Sequence, residues 1–208
     1  MDAVDTKDAL RDFYAPPIER ARLKTLPKLD QHCRHYISLS PFLCLGTAGP
    51  EGLDVSPRGD RPGFVHVLDD HTLAIPDWPG NNRLDSLSNL VSNAQVGLLF
   101  LIPGVQETLR VNGTARITTD PALLAQWETN GKLPKSALVV TVREAYLHCG
   151  KALIRSRLWE DDYRVDRSVL PSYGCMLKDQ IEISQSAEEI DASVAEGYRH
   201  NLYSPPLA

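Results

Sequence analysis

Between residues 42 and 149 the chain alternates short apolar segments with tight turn clusters, and this pattern limits the folds that it can adopt. Turn residues such as Ala48-Gly49-Pro50-Glu51-Gly52, Asp69-Asp70 and Pro103-Gly104 separate segments of strand length. Connections this short join antiparallel neighbours, whereas parallel strands need long crossovers. We therefore expect a mainly β protein with flanking helices, whose six or seven antiparallel strands close into a barrel. The expected strands are residues 42–47, 53–57, 64–68, 72–75, 96–102, 107–118 and 137–149.

Two of these segments carry further information. Residues 96–102 are almost continuously apolar, which predicts a strand buried on both faces. Gly113 lies inside the long segment 107–118 and indicates a β-bulge. No βαβαβ alternation and no G-x-G-x-x-G segment occurs, so a doubly wound dinucleotide-binding fold is excluded.

One helix interrupts the strands, after residues 72–75. Pro76 closes that strand because proline cannot donate to a ladder, and Pro79-Gly80 turns the chain. Asn82 is a candidate N-cap, and Asp85 follows where a carboxylate complements the positive end of the helix dipole. An apolar face at helical spacing is predicted from Leu84, Leu87 and Val91.

Arg83 and Ser86 lie in the predicted first turn of this helix. A helix start that also carries a guanidinium and a hydroxyl group is suited to an anion, most often a phosphate. The alternative is a capped surface helix with a solvated arginine. These residues alone leave both interpretations open.

The chain divides into three parts. Residues 4–14, 17–26 and 30–39 are expected to be helical, which gives a helical extension over 1–40 before the barrel domain over 41–160. Residues 161–180 are expected to be irregular, within a C-terminal extension over 161–208. That extension ends in a helix, since Ser186 and Glu189 form a capping box. The tail Ser204-Pro205-Pro206 is expected to be loose.

Composition excludes several classes of protein. The 208 residues carry a formal net charge of −5, which argues against nucleic acid as a partner. No apolar run reaches the roughly 20 residues that span a bilayer, and the charged N-terminus lacks a signal-peptide core. We therefore expect a cytoplasmic protein with no membrane partner. Four cysteines far apart in sequence predict free thiols and no metal site.

Three polar clusters lie at the ends of expected strands, and each contains an arginine. They are Ser56-Pro57-Arg58-Gly59-Asp60, then Asn81-Asn82-Arg83 with Ser86, and then the segment from Gln106 through Glu107 and Arg110 to Gly113. Singly, each arginine is more simply a solvated side chain. Together the three clusters suggest convergence on one anionic ligand.

These clusters resemble the motifs of a known family, the flavin-binding split barrels related to pyridoxamine 5'-phosphate oxidase. The bacterial subgroup that they resemble has a D-x-S-P-R-G-D segment, here residues 54–60, and an I-P-D-x-x-G-N-N-R-x-D-S segment, here residues 75–86. An R-V-N-G segment matches residues 110–113, and H-C-x-K-A-x-x-R-S-x-x-W matches residues 148–159. The resemblance covers about residues 40–160.

The resemblance implies a six-stranded antiparallel Greek-key split barrel that forms a homodimer, with FMN at each of two sites between the subunits. It places the arginines on the FMN phosphate and the backbone around Pro57 and Pro76 against the isoalloxazine ring. The cofactor-binding residues that we expect are Val55, Ser56, Pro57, Arg58, Gly59, Asp60, Ile75, Pro76, Asn81, Asn82, Arg83, Ser86, Glu107 and Arg110.

The C-terminal part departs from the family. It has no segment that aligns with the substrate-phosphate pocket or the C-terminal signature of the true oxidase, so the resemblance extends to FMN and not to pyridoxamine phosphate oxidation. We expect an FMN-dependent oxidoreductase that uses NADH, NADPH or an organic small molecule, with no side chain nominated as acid or base. The alternatives are a flavin carrier or sensor without turnover, and a barrel that binds haem or a deazaflavin.

Overall fold

A computed structural model of the chain describes residues 3–203 and shows one antiparallel sheet. Seven strands, not six, form it in the order β2-β1-β5-β6-β7-β4-β3. All neighbouring strands pair antiparallel, as the short connections predicted. The strands are β1 (Phe42–Gly49), β2 (Gly52–Gly59), β3 (His66–Val67), β4 (Thr72–Asp77), β5 (Gln95–Leu101), β6 (Thr108–Thr118) and β7 (Ser136–His148).

Eight helices flank the sheet in the described part of the chain. They are α1 (Lys7–Phe13), α2 (Glu19–Leu23), α3 (Gln31–Leu39), α4 (Asp85–Ser92), α5 (Pro121–Leu124), α6 (Lys151–Ser156), α7 (Tyr173–Gln180) and α8 (Ala187–His200). The expectation that residues 161–180 are irregular was wrong for α7, whose start is capped by the Ser172 hydroxyl. The capping box of Ser186 and Glu189 is confirmed. The tail from Ser204 lies outside the described residues.

The sheet remains open, which corrects the expectation of a closed barrel. β2 and β3 are its two edges, and no ladder joins them among the described strands. A side-chain contact crosses the gap instead: Arg58 Nη1 on β2 donates to Asp77 Oδ1 on β4 at 2.5 Å. This ion pair links the two ends of the sheet where backbone hydrogen bonds do not.

The core lies on one face of the sheet. Leu43 and Leu45 of β1 are fully buried, as are Leu109 and Val111 of β6, because alternate residues of a strand point to the same face. β5 follows the same alternation, so the expectation that it is buried on both faces was wrong. Its residues Gly97, Leu99 and Leu101 are only half-buried on the outer face. The bulge predicted at Gly113 is confirmed by a register shift between Asn112 and Gly113.

The helices before and after the sheet differ in how they pack. α3 contributes Cys33, Tyr36 and Ile37 to the same core, whereas α1 and α2 bury no residue. α7 packs on α8, where the Gly174 N–H donates to Asp191.

The division into 1–40, 41–160 and 161–208 stays a prediction. Among the described residues, none of the helices is long and apolar enough to cross a membrane.

Candidate functional site

The central helix begins later than its sequence suggested. Asn82 was expected as the N-cap, but α4 starts at Asp85 with Leu84 as its N-cap. Asn82 and Leu84 both have φ of 60°, a left-handed conformation that asparagine adopts more readily than leucine. Arg83 therefore lies in the loop before the helix, and only Ser86 is in its first turn. The carboxylate expected there is present, in Asp85.

Asp54 joins two of the sequence clusters. Its carboxylate accepts hydrogen bonds from Ser86 Oγ at 2.6 Å and from Ser56 Oγ at 2.8 Å. The hydrogen bond from Ser86 contributes most to a lowered pKa of Asp54, with further contributions from Ser56 and from the charges of Arg58 and Arg83. The two hydrogen bonds at Asp54 join β2 to the first turn of α4 and so bring the first two predicted clusters together.

Arg83 extends towards solvent from this cluster. Its side chain is 73 % exposed, and its Nε donates to Asp85 Oδ2 at 2.8 Å. The Asn81 side chain accepts from the Arg83 backbone N–H at 3.1 Å and holds the loop. A polar cavity of about 580 Å³, called here the helix-start cavity, is lined by Arg83 together with Asp54, Asp85, Ser88 and Asn89.

Arg58 is more enclosed than Arg83. Beyond its ion pair with Asp77, its Nε atom is buried and has no partner among the described residues. A buried N–H without an acceptor costs free energy, so this atom marks a place where a ligand or water oxygen would be stabilising.

The other predicted residues are spread around this region. Gly59 and Pro57 are exposed on β2, and Asp60 accepts from the Tyr203 hydroxyl at 2.7 Å. Ile75 is fully buried and Pro76 is buried within one chain. Their predicted backbone role stays a prediction. Asn82 and Glu107 are exposed.

Arg110 of the third cluster borders a different cavity from the one that Arg83 lines. Arg110 and Val55 border a cavity of about 450 Å³ on the outer face of the sheet, called here the outer-face cavity. Its walls are mostly apolar, because β1, β2, β5 and α6 present small and aliphatic residues to it. Within one chain Arg110 does not line the helix-start cavity with Arg83. Convergence of all three arginines on one anion, at a site between two subunits, stays a prediction. The cavity is also lined by Cys44, Gly97, Leu99, Leu101, His148 and Leu153.

Sequence reasoning missed several residues of these sites. The sequence motif includes Asp54 but does not show that its carboxylate accepts hydrogen bonds from two serines. The available signal was its position two residues before Ser56, because residues two apart on a strand point to the same face. Tyr146 and Lys24 come next to Arg110 only through the pairing of β6 with β7 and the bridge of Leu26 to Ala145. Nothing local in the sequence indicates that contact.

Comparison with known proteins identifies the class. A family model described as pyridoxamine 5'-phosphate oxidase matches residues 29–149, more than half of the chain. The protein therefore belongs to this family, and its open antiparallel sheet with flanking helices is the split-barrel fold. No protein with a curated function matches the sequence.

Solved structures with similar folds share little sequence with the chain. HupZ from Group A Streptococcus is 17 % identical over 57 % of this chain and 93 % of its own, with a TM-score of 0.48. A putative pyridoxamine 5'-phosphate oxidase from Lactobacillus delbrueckii is 19 % identical over 58 % of this chain and 95 % of its own, with a TM-score of 0.46. An FMN-binding protein from Syntrophomonas wolfei is 14 % identical over 55 % and 82 %, with a TM-score of 0.43.

The donor set around Asp54 fits the ribityl phosphate of a flavin. Arg83 has terminal nitrogens without a partner among the described residues, and Arg58 has its unpaired Nε. The Ser56 and Ser86 hydroxyls already donate to Asp54, so the half-buried Ser56 oxygen and the Asp54 carboxylate are acceptors for sugar-alcohol hydroxyls. Asp77 and Asp85 neutralise part of the arginine charge, so a phosphate must compete with them.

Proposed function

We propose that this protein binds FMN and acts as an FMN-dependent oxidoreductase of the pyridoxamine 5'-phosphate oxidase family. The observation that carries the proposal is the cluster around Asp54, where donors from β2 and from the start of α4 meet beside an open cavity. Family membership supports the choice of a flavin. We propose a homodimer as the functional unit and keep the cytoplasm as the location that the sequence predicts.

Each residue of the cluster has a part in this proposal. Arg83, whose side chain and ion pair with Asp85 are exposed to solvent, would bind the phosphate, because a guanidinium matches its oxygens bidentately. Asp54, which the buried Ser86 hydroxyl holds in place, would accept hydrogen bonds from the ribityl hydroxyls together with the half-buried Ser56 oxygen. The exposed face of β2 at Val55 and Pro57 is the apolar surface available to the ring.

The bound flavin supplies the redox chemistry, by accepting a hydride or electrons from NADH, NADPH or an organic small molecule and passing them on. The protein's residues bind and orient it, and no side chain is assigned as an acid or base. A flavin carrier without turnover would use the same residues.

The absorbance spectrum of the purified protein distinguishes an enzyme from a carrier. Bleaching of the flavin absorbance by NADH or NADPH without oxygen supports the enzyme. A protein that carries haem or a deazaflavin in place of FMN would contradict the proposal.

Arg83→Ala tests the phosphate site. The substitution removes a charge-assisted contact worth roughly 1.5–3 kcal/mol, so FMN affinity should fall about ten- to hundred-fold. Riboflavin lacks the phosphate, and its affinity should change little. Fluorescence titration of both flavins gives the ratio of affinities, which general damage to the fold would leave unaltered.

Arg164→Ala is the matched control. Arg164 is 79 % exposed and paired with Asp161 at 3.3 Å, far along the chain from the cluster. Its loss should affect neither flavin. If Arg83→Ala leaves the ratio of FMN to riboflavin affinity unchanged, the phosphate does not bind at the start of α4.

A further inference from the structure

Tyr203, which follows the end of α8, bridges the gap in the sheet. Its hydroxyl donates to Asp60 Oδ1 at 2.7 Å, and its ring lies edge-on to the Trp78 ring, with centroids 4.8 Å apart and an angle of 79° between the planes. Asp60 comes directly after β2, and Trp78 comes directly after β4. One side chain of the C-terminal extension therefore contacts both segments that the gap separates.

This bridge lies next in sequence to the ion pair across the same gap. Arg58 comes two residues before Asp60, and Asp77 immediately precedes Trp78. Arg58 and Asp60 are both among the residues predicted to bind the cofactor. Tyr203 therefore contacts a residue of the proposed flavin site.

The acceptor of the Tyr203 hydrogen bond is held by the backbone. Asp60 Oδ1 also accepts from the Arg61 N–H at 2.7 Å, and the Asp60 N–H donates to the Pro41 carbonyl at 3.0 Å. The hydrogen bond to Asp60, and then burial, raises the pKa of Tyr203. The hydroxyl therefore stays protonated at neutral pH and donates to a carboxylate of fixed position.

Each side of the gap also carries a buried donor without an acceptor among the described residues. These donors are Arg58 Nε on β2 and Trp78 Nε1 after β4. Buried donors in folded proteins are usually paired with protein, water or ligand oxygens. An acceptor that a ligand brings to these segments would therefore be stabilising.

The helices that carry Tyr203 are mostly exposed. α8 packs on α7, and within their described residues the two helices bury only Gly174 and Ile190. A Cβ atom at Gly174 would lie 2.2 Å from the Ala187 carbonyl oxygen, so the two helices are closely packed on each other. A segment with few buried apolar contacts opens at low cost in free energy.

We propose that α7, α8 and Tyr203 form a lid, called here the C-terminal lid, which Tyr203 closes and which must open before FMN enters or leaves. This inference rests on the proposed function, because it requires a flavin beside Arg58 and Asp60. In the closed form Tyr203 occupies the gap between the ends of β2 and β4. Opening of a lid limits both entry and release, so its loss raises both rates, whereas loss of a ligand contact lowers affinity.

Acrylamide quenching of tryptophan fluorescence in the flavin-free protein tests the closing contact. Tyr203→Ala should increase quenching, because Trp78 loses its aromatic neighbour. The same substitution should cause no increase in a protein that also carries Trp78→Phe. Tyr198→Ala is the matched control, since Tyr198 lies on α8 and is 69 % exposed, and it should leave quenching unchanged.

Stopped-flow fluorescence of FMN binding and release tests the effect on the flavin. Tyr203→Phe loses only the hydroxyl and should raise the association and dissociation rate constants about two- to ten-fold. Tyr203→Ala also loses the aromatic contact and should raise both at least about five-fold. The dissociation constant should stay within about two-fold in both variants, because the two rates change together. Tyr198→Ala should change neither rate.

Three results would overturn the lid. They are unchanged quenching in Tyr203→Ala, equal effects of Tyr198→Ala and Tyr203→Ala, and a rise in the dissociation rate alone, which would make Tyr203 a flavin contact. A parent protein that binds no FMN contradicts the proposed function, whatever the quenching shows. A parent protein that binds FMN, with rates that Tyr203→Ala leaves unaltered, contradicts the lid alone.

Discussion

Each arginine of the candidate flavin site has a carboxylate partner of its own. Arg58 pairs with Asp77 and Arg83 with Asp85, while Asp54 organises the two serine hydroxyls. These pairs hold the side chains in place before a ligand arrives. A phosphate that binds an arginine must also displace that arginine's carboxylate. The free energy of binding is therefore only the difference between the two contacts. Arg83 is the better anchor because its pair is exposed and weak.

Asp54→Ala should destabilise the protein at neutral pH. Ser86 is only 2 % exposed, so its hydroxyl would lose its acceptor, which costs about 1–3 kcal/mol. The pKa of Asp54 is lower in the folded protein than its ordinary value. Its contribution is therefore present above that ordinary pKa and is lost as pH falls through the folded pKa.

Urea unfolding of Asp54→Asn and the parent protein over a range of pH measures this contribution. The difference in free energy of unfolding should be largest near neutrality and shrink in acid. Asp179→Asn, at an exposed position in α7, is the control and should show no such trend. If the difference in free energy of unfolding between Asp54→Asn and the parent protein does not change with pH, Ser86 and Ser56 do not stabilise the ionised form of Asp54.

At the scale of elements, local patterns predicted most of the fold. Alternation and turn clusters located the strands, and the capping box located α8, because both signals depend on neighbours in sequence. The failures are non-local. The start of α4 depends on Leu84 adopting a left-handed conformation inside a loop, and the exposure of one face of β5 depends on what covers the sheet. The contact of Arg110 with Tyr146 depends on the pairing of β6 with β7.

Gly113→Ala should destabilise the sheet at the bulge between β6 and β7. A Cβ atom at this position would lie 2.0 Å from the Thr141 carbonyl oxygen, which is backbone and cannot rotate away. We expect a loss of about 1–3 kcal/mol, as for an overpacked core. Gly197→Ala is the comparison, since its Cβ would meet open space in α8 and should stabilise that helix by about 0.5–1 kcal/mol. Unfolding in urea that shows the two variants to be equally stable would contradict this account of the bulge.

At the scale of the whole molecule, an ion pair spans the gap that backbone pairing leaves in the sheet. Arg58 belongs to the edge strand β2, Asp77 belongs to β4 next to the other edge strand, and both side chains are mostly buried. Asp77→Ala would leave the guanidinium enclosed without a counter-charge, which should cost roughly 2–4 kcal/mol.

The double variant Arg58→Met with Asp77→Leu tests the link, because it removes both charges together. It should lose less free energy of unfolding than the sum of the two single variants, with a coupling of at least about 1 kcal/mol. Equivalent substitutions in the exposed pair Arg199 and Glu196 of α8 should show almost no coupling. Strict additivity at Arg58 and Asp77 would show that the pair does not join the ends of the sheet.

The chain also exposes more surface than a compact monomer of its size. Its accessible area is 14081 Å² for a mass of 23.1 kDa. A folded monomer of that mass is expected to expose about 9,700 Å², which leaves an excess of roughly 4,400 Å². Obligate dimers bury roughly 2,000–5,000 Å² in total, about 1,000–2,500 Å² on each chain, so a second copy would cover part of this excess. On the outer face of β2, Leu53 is 86 % exposed and Val55 is 70 % exposed.

We therefore predict a dimer through the outer face of the sheet, with twice the chain mass in sedimentation equilibrium. Leu53→Asp should raise the dimer dissociation constant at least about ten-fold, because a charge would be buried against apolar residues of the second copy. The variant should still fold, since Leu53 is almost fully exposed within one chain. Val91→Asp, at an 80 % exposed position of α4, makes the same chemical change away from this face and should leave the equilibrium unaltered. A monomer at micromolar concentration, or equal effects of the two variants, would show that the second copy does not cover β2.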